Sequence, residues 1–132
     1  MASVLVSAGC SDSVTERYAT IEDARKAGVF ERGWLPDALP SSTRDIEARN
    51  DLDLNVSVGK FVLSRSELDN FSARLRPYSA ESADADAHLA SYLRAKAKEG
   101  LRVGVLEQTS SVWAFVCDPK VAQCTYQLVS AR

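Results

Sequence analysis

A chain of 132 residues, 45% hydrophobic and 26% charged, has the size and composition of one ordinary globular domain that can bury a single core without metals. Sixteen Lys and Arg against eighteen Asp and Glu leave a formal net charge of -2, which excludes a broad basic face for nucleic acid. The densest basic run, Arg94, Lys96 and Lys98, falls at the end of a predicted helix, where cations complement the helix dipole.

The chain opens on an apolar run, Ala2 to Gly9, followed by Cys10 and the polar Ser11-Asp12-Ser13. This resembles a bacterial lipoprotein signal, in which small residues precede a cysteine that is lipidated and becomes the mature N-terminus. Ala8-Gly9-Cys10 fits that pattern; Ser7 stands where an aliphatic residue is usual, and no basic leader precedes the run. The resemblance implies lipidation of Cys10, with residues 1–13 a truncated signal and tether, residues 14–132 one domain, and Met1 lying inside a longer signal. If Met1 is the true start, the chain is cytoplasmic. No other stretch approaches transmembrane length, so a lipid on Cys10 would be the anchor that makes the membrane a partner. Ser11 to Tyr18 is polar and reads as part of the tether.

Thr20 to Ala27 has the marks of a short helix: Thr20 to cap, Asp23 three residues later, and Gly28 for a left-handed exit. Ile21, Ala24 and Ala27 would face inward. Pro36 and Pro40 fix torsions and remove donors, making Leu35 to Ser42 extended or turn-rich, with Trp34, Leu35 and Leu39 folded back as an apolar plug. A buried indole contributes a large apolar area, which favours Trp34 as core and Arg32 in a structural ion pair.

Thr43 to Asn50 reads as a strand with Ile46 and Ala48 inward. From Leu52 the pattern alternates, placing Leu52, Leu54, Val56 and Val58 on a buried face and Asp51, Asp53, Asn55 and Ser57 outside. Asp51, Asp53 and Asn55 have the spacing of the first half of a calcium loop. Val56 and Val62 occupy the positions that need Gly and Glu, so that site is rejected. Gly59 and Lys60 suggest a bulge or turn before Phe61-Val62-Leu63.

Tyr18-Ala19-Thr20, Ala24, Gly28, Arg32-Gly33-Trp34-Leu35-Pro36, Leu39-Pro40, Ser42, Ile46 and Asp51-Leu52-Asp53-Leu54-Asn55 together resemble the signature of small bacterial lipoproteins and membrane-associated domains of the YbbD head-domain type. The resemblance covers about Tyr18 to Leu68 and implies an envelope location without implying a reaction. Asn50 stands where that pattern carries His, so no metal or acid-base role transfers to the position.

Ser64-Arg65-Ser66-Glu67 predicts a capping box and a helix from Arg65 to Leu75 that buries Leu68, Phe71 and Leu75, stopped by Arg76-Pro77-Tyr78. Ser79 to Ala85 reads as a loop or a loosely wound helix start. A second helix spans Asp84 to Glu99, with Leu89, Tyr92, Leu93 and Lys96 on one stripe with Ala85, and closes at Gly100. Three β-rich runs, Leu101 to Glu107, Val112 to Val116 and Thr125 to Val129, make an antiparallel meander. Cys117 and Cys124 flank its last loop. Their spacing alone leaves a disulfide or two free thiols open; the lipoprotein-like Cys10 favours the disulfide, because such bonds persist in oxidising compartments. The fold class expected is α+β, a mostly antiparallel sheet with helices packed on one face.

No catalytic constellation is apparent. The one histidine, His88, lies on a different predicted element from the cysteines, and a hydrolase built on Asp51 or Asp53 with Arg32 would need a cleft carrying a carboxylate of raised pKa. The expectation is a non-enzymatic envelope domain without cofactor, metal or nucleic acid, whose candidate binding surface is Arg32, Trp34, Asp51, Asp53 and Asn55 and whose partner is an envelope protein or cell-wall component. Two alternatives stay open: an inhibitor or accessory of an envelope enzyme that presents Asp118 to Gln123, and a cytosolic binding domain.

Overall fold

The computed structural model describes residues 13–51, 53, 56–78, 86–108 and 111–131. Among these, six strands form one antiparallel sheet in the order β1-β2-β3-β6-β5-β4: β1 Ser13–Thr20, β2 Arg44–Asp51, β3 Val56–Val62, β4 Arg102–Glu107, β5 Ser111–Asp118 and β6 Gln123–Ala131. Helices α1 Ile21–Lys26, α2 Arg65–Ala73 and α3 Ala87–Lys98 lie in the connections. The sheet is two three-stranded meanders joined side by side. β3 pairs β6, setting Gly59 opposite Tyr126 and Phe61 opposite Cys124.

The expected α+β layer of helices on one face does not hold. Side chains alternate along a strand, and β5 is buried on both of its faces. Trp113, Phe115 and Cys117 pack with Ile21 and Ala24 of α1 and Leu68 and Phe71 of α2. Val112, Ala114 and Val116 point the other way, against Leu89 and Leu93 of α3. Among the described residues the molecule is mostly antiparallel sheet, with three short helices divided between its two sides. The core on the α2 side is aromatic: Phe71 stands edge-on to Phe115 at 5.0 Å and to Phe61 at 6.1 Å, and Trp113 meets Tyr126 at 5.7 Å. Such pairs contribute roughly 0.5–1.5 kcal/mol each beyond their buried area.

Helix starts follow local chemistry. Thr20 Oγ1 accepts the Asp23 amide at 3.1 Å, and Gly28 takes a φ of 75° after α1. Ile21 and Ala24 are buried, whereas Ala27 is exposed. Ser64 caps α2 by accepting the Glu67 amide at 3.3 Å, but the second half of the box is diverted. The Ser64 amide donates to Ser42 Oγ at 3.2 Å, and the Glu67 carboxylate accepts the Ser42 amide at 2.9 Å. The cap has become a clamp between α2 and the segment that enters β2. The bonds from Ser42, then Ser41, hold the Glu67 carboxyl below its ordinary range.

Three strand expectations change. The stretch taken as tether becomes the edge strand β1 from Ser13; it carries few apolar residues and is held by pairing to β2. β3 has the opposite parity: Ser57 and Phe61 are buried, while Val56 is 43% exposed. Phe61, the largest side chain of the strand, claims the aromatic core and carries Ser57 and Gly59 to that side with it. Leu52, Leu54 and the loop at 79–85 lie outside the described residues. The bulge lies not at Gly59 and Lys60 but in the partner strand β2, where Asp45 and Ile46 together oppose Phe61 and Asp45 takes a φ of 50°. Gly59 stays in a regular ladder, and the position requires glycine because a Cβ there would strike the Glu47 carbonyl and meet the Tyr126 hydroxyl at 2.6 Å.

Two outcomes follow from this packing. Gly59→Ala forces backbone or Tyr126 to move, and urea denaturation should show a loss of about 3 kcal/mol or more. Glu67 has a folded pKa below its ordinary 4.5, so its contribution is complete above that value and lost as pH falls through the folded pKa. Acid titration of stability should therefore be shallower below pH about 4.5 in Glu67→Gln, which is also less stable at pH 7.

Candidate functional site

Arg32 and Trp34 are brought together, and both are fastened down. The Arg32 guanidinium lies 4.5 Å from the centre of the Trp34 ring, donates to the Ala27 carbonyl at 2.8 Å and approaches Glu16 of β1 at 3.6 Å. The Trp34 carbonyl accepts the Ser57 hydroxyl at 3.1 Å, and Ser57 also pairs with the buried Asn50. A hydroxyl has one proton. Asn50 Oδ1, 2.5 Å from the Ser57 oxygen, is its nearer acceptor, and the Trp34 carbonyl shares it at 3.1 Å. Arg32, Trp34, Asn50 and Ser57 thus form a strap that ties the proline segment to β1, β2 and β3. Leu35 and Leu39 are buried beneath it, as the plug expectation requires.

Asp51 and Asp53 lie elsewhere, at the β2–β3 turn: Asp51 ends β2 opposite Ser13 and Val56, and Asp53 is exposed. Asn55 and Cys10 lie outside the described residues. Among the described residues no three His, Cys, Asp or Glu side chains gather as a metal site. Cys117 and Cys124 are register partners in the β5–β6 hairpin and form a disulfide, with Cα atoms 4.0 Å apart. His88 is exposed in the first turn of α3, its amide donating to Asp86 at 2.9 Å.

The concavity that the sequence does not announce is on the opposite face. α3 covers β4 and β5 and leaves the neighbouring strands open, creating a trough of about 530 Å³ walled by Tyr92 and Leu93. Strand register assembles its floor in two rows. One runs Val116, Thr125, Lys60, Glu47, Arg17; the other runs Ala114, Gln127, Val58, Arg49, Thr15. The floor therefore grades from apolar under α3, through a hydroxyl and an amide, to charge at the β1 side. Arg17 pairs with Glu47 at 3.7 Å and Arg49 donates to Ser13 Oγ at 3.3 Å. No local sequence signal could have gathered these residues, since both rows cross the β3–β6 joint between segments more than sixty positions apart.

The first meander is the part of the chain with a known counterpart. Residues 12–62 match the family model of the YbbD head domain. The match spans β1, α1, the strap, β2 and β3, and ends on the last residue of β3. No curated protein and no solved structure matches the chain. The trough straddles the matched meander and the β4–β5–β6 meander beyond it.

Behind the strap, the hydroxyls of Tyr18 and Tyr126 are buried without a hydrogen-bond partner among the described residues. Burial raises both phenols; Glu16 adds to the effect on Tyr18, and Tyr18 adds to that on Tyr126. A raised folded pKa means stability that is complete below the ordinary phenol value of about 10 and lost above it. Tyr126→Phe removes the strongest of these penalties. It should raise stability at pH 7 by about 1 kcal/mol and flatten the alkaline loss seen by circular dichroism above pH about 10.

Proposed function

We propose that this chain is a non-enzymatic binding module of the bacterial cell envelope, anchored by a lipid on Cys10, and that it binds through the trough beside α3. The trough carries this reading. Its volume falls within the roughly 300–1,000 Å³ usual for ligand sites, and its lining offers graded polarity rather than a nucleophile beside a base. Envelope residence is supported by the lipobox-like Ala8-Gly9-Cys10, by a disulfide that suits an oxidising compartment, and by the YbbD head-domain match.

A second reading has its own observation. The β5–β6 tip is pre-organised: Arg65 donates to the Pro119 and Lys120 carbonyls at 2.9 and 2.8 Å, the Lys120 amide donates to Asp118 at 2.9 Å, and Val121 is 59% exposed. A rigid exposed tip suits an inhibitor or accessory that inserts into an envelope enzyme, because little ordering entropy is lost on binding.

The test uses the gene with its native start in its own host. The wild type should incorporate labelled palmitate and fractionate with membranes, and Cys10→Ser should do neither; an unlabelled wild type contradicts the anchor. A photo-crosslinking residue at Tyr92 should yield a discrete adduct in cells. Adducts at Val121 alone favour the hairpin reading, and adducts at neither position contradict a binding module.

A further inference from the structure

Resting on the trough reading, we infer that its ligand is an extended peptide segment with an apolar residue at one end and a carboxylate three to four residues away. The argument begins with charge. Arg17, Arg49 and Lys60 stand against Glu47 on the floor, three cations to one anion, in a protein whose net charge is -2. Glu47 is taken by Arg17, while Arg49 and Lys60 meet no carboxylate among the described residues. The outer half of the trough is thus complementary to an anionic group.

The inner half asks for something different. Val116 and Ala114 are buried beneath Leu93, and the exposed Tyr92 ring at their edge is the apolar surface that an aliphatic side chain would cover. Between the two ends stand Thr125 and Gln127, one strand over. A bare acyl chain lying across them would strip their water without replacing it, which is unfavourable for each polar group so desolvated. A peptide brings its own amides to that point. Strands are spaced about 4.8 Å apart, so β5 to β3 is roughly 10 Å and β5 to β2 roughly 14 Å. At about 3.3 Å per extended residue, that distance separates an apolar residue from an acidic one three or four positions along.

The probes are N-acetyl-Leu-Gly-Gly-Asp amide, its Leu-Gly-Gly-Asn counterpart and octanoate, titrated into the uniformly ¹⁵N-labelled domain. The acidic peptide should bind at least tenfold more tightly than the Asn peptide at low salt, with shifts centred on Val116, Gln127 and Val58. In Lys60→Glu with Arg49→Glu, both exposed substitutions, that advantage should vanish while the unliganded spectrum stays folded. Equal binding of the Asp and Asn peptides, octanoate binding as tightly as the acidic peptide, shifts centred off the trough, or no binding at all overturns the inference. If the peptides fail but Tyr92 still crosslinks in cells, only the ligand class falls; if both fail, the trough reading falls with it.

Discussion

The antiparallel pairing of β3 with β6 is the constraint on which the rest of this molecule depends. It joins residues on either side of 60 to residues near 125, and without it the chain is two separate three-stranded ribbons. The pairing is tight at Gly59, where the absent Cβ leaves room for both the Tyr126 ring and the Glu47 carbonyl. On one face, the joint lets Phe61 reach Phe71 and Phe115 and close a single aromatic core. On the other, it aligns Val58 with Gln127 and Lys60 with Thr125, which makes the trough floor continuous.

Two sets of contacts protect the joint from opposite ends. At one, the disulfide fixes the β5–β6 hairpin and contributes about 2.5 kcal/mol in a chain-entropy account of its short loop. Arg65, at the start of α2, reaches over to hold the hairpin carbonyls. At the other, the Arg32–Trp34 strap and the Ser57–Asn50 pair bind the proline segment to the first meander. The two faces then diverge in character. The α1–α2 side is filled and closed, whereas the α3 side is half covered, which leaves polar and apolar groups side by side in an accessible place.

Local rules were legible in the sequence, and non-local ones were not. Thr20, Ser64 and Gly28 announced helix ends because capping depends on residues within one turn. The β4–β5–β6 meander was readable because hairpins join neighbours, whereas the spacing of Cys117 and Cys124 alone left their pairing open. The helix layer was misread because β5 is apolar at both parities, and such a run does not reveal that α2 lies on one side and α3 on the other. The parity of β3 was misread because its outer valines alternate as regularly as a buried set. Phe61 settled the matter through partners that only tertiary structure supplies. Trp34 was legible as a packed residue and Arg32 as an ion-pairing one, but their stacking as a fastening and the existence of the trough both followed from the tertiary structure.

The measurement that bears most directly on this account is the pattern of cross-strand nuclear Overhauser contacts in the folded, oxidised domain. The account predicts backbone contacts linking Gly59 to Tyr126 and Phe61 to Cys124, with Lys60 beside Thr125. A β3 strand that instead shows no contacts to β6, or contacts in another register, would separate the two meanders, break the rows of the trough and contradict the account at its foundation.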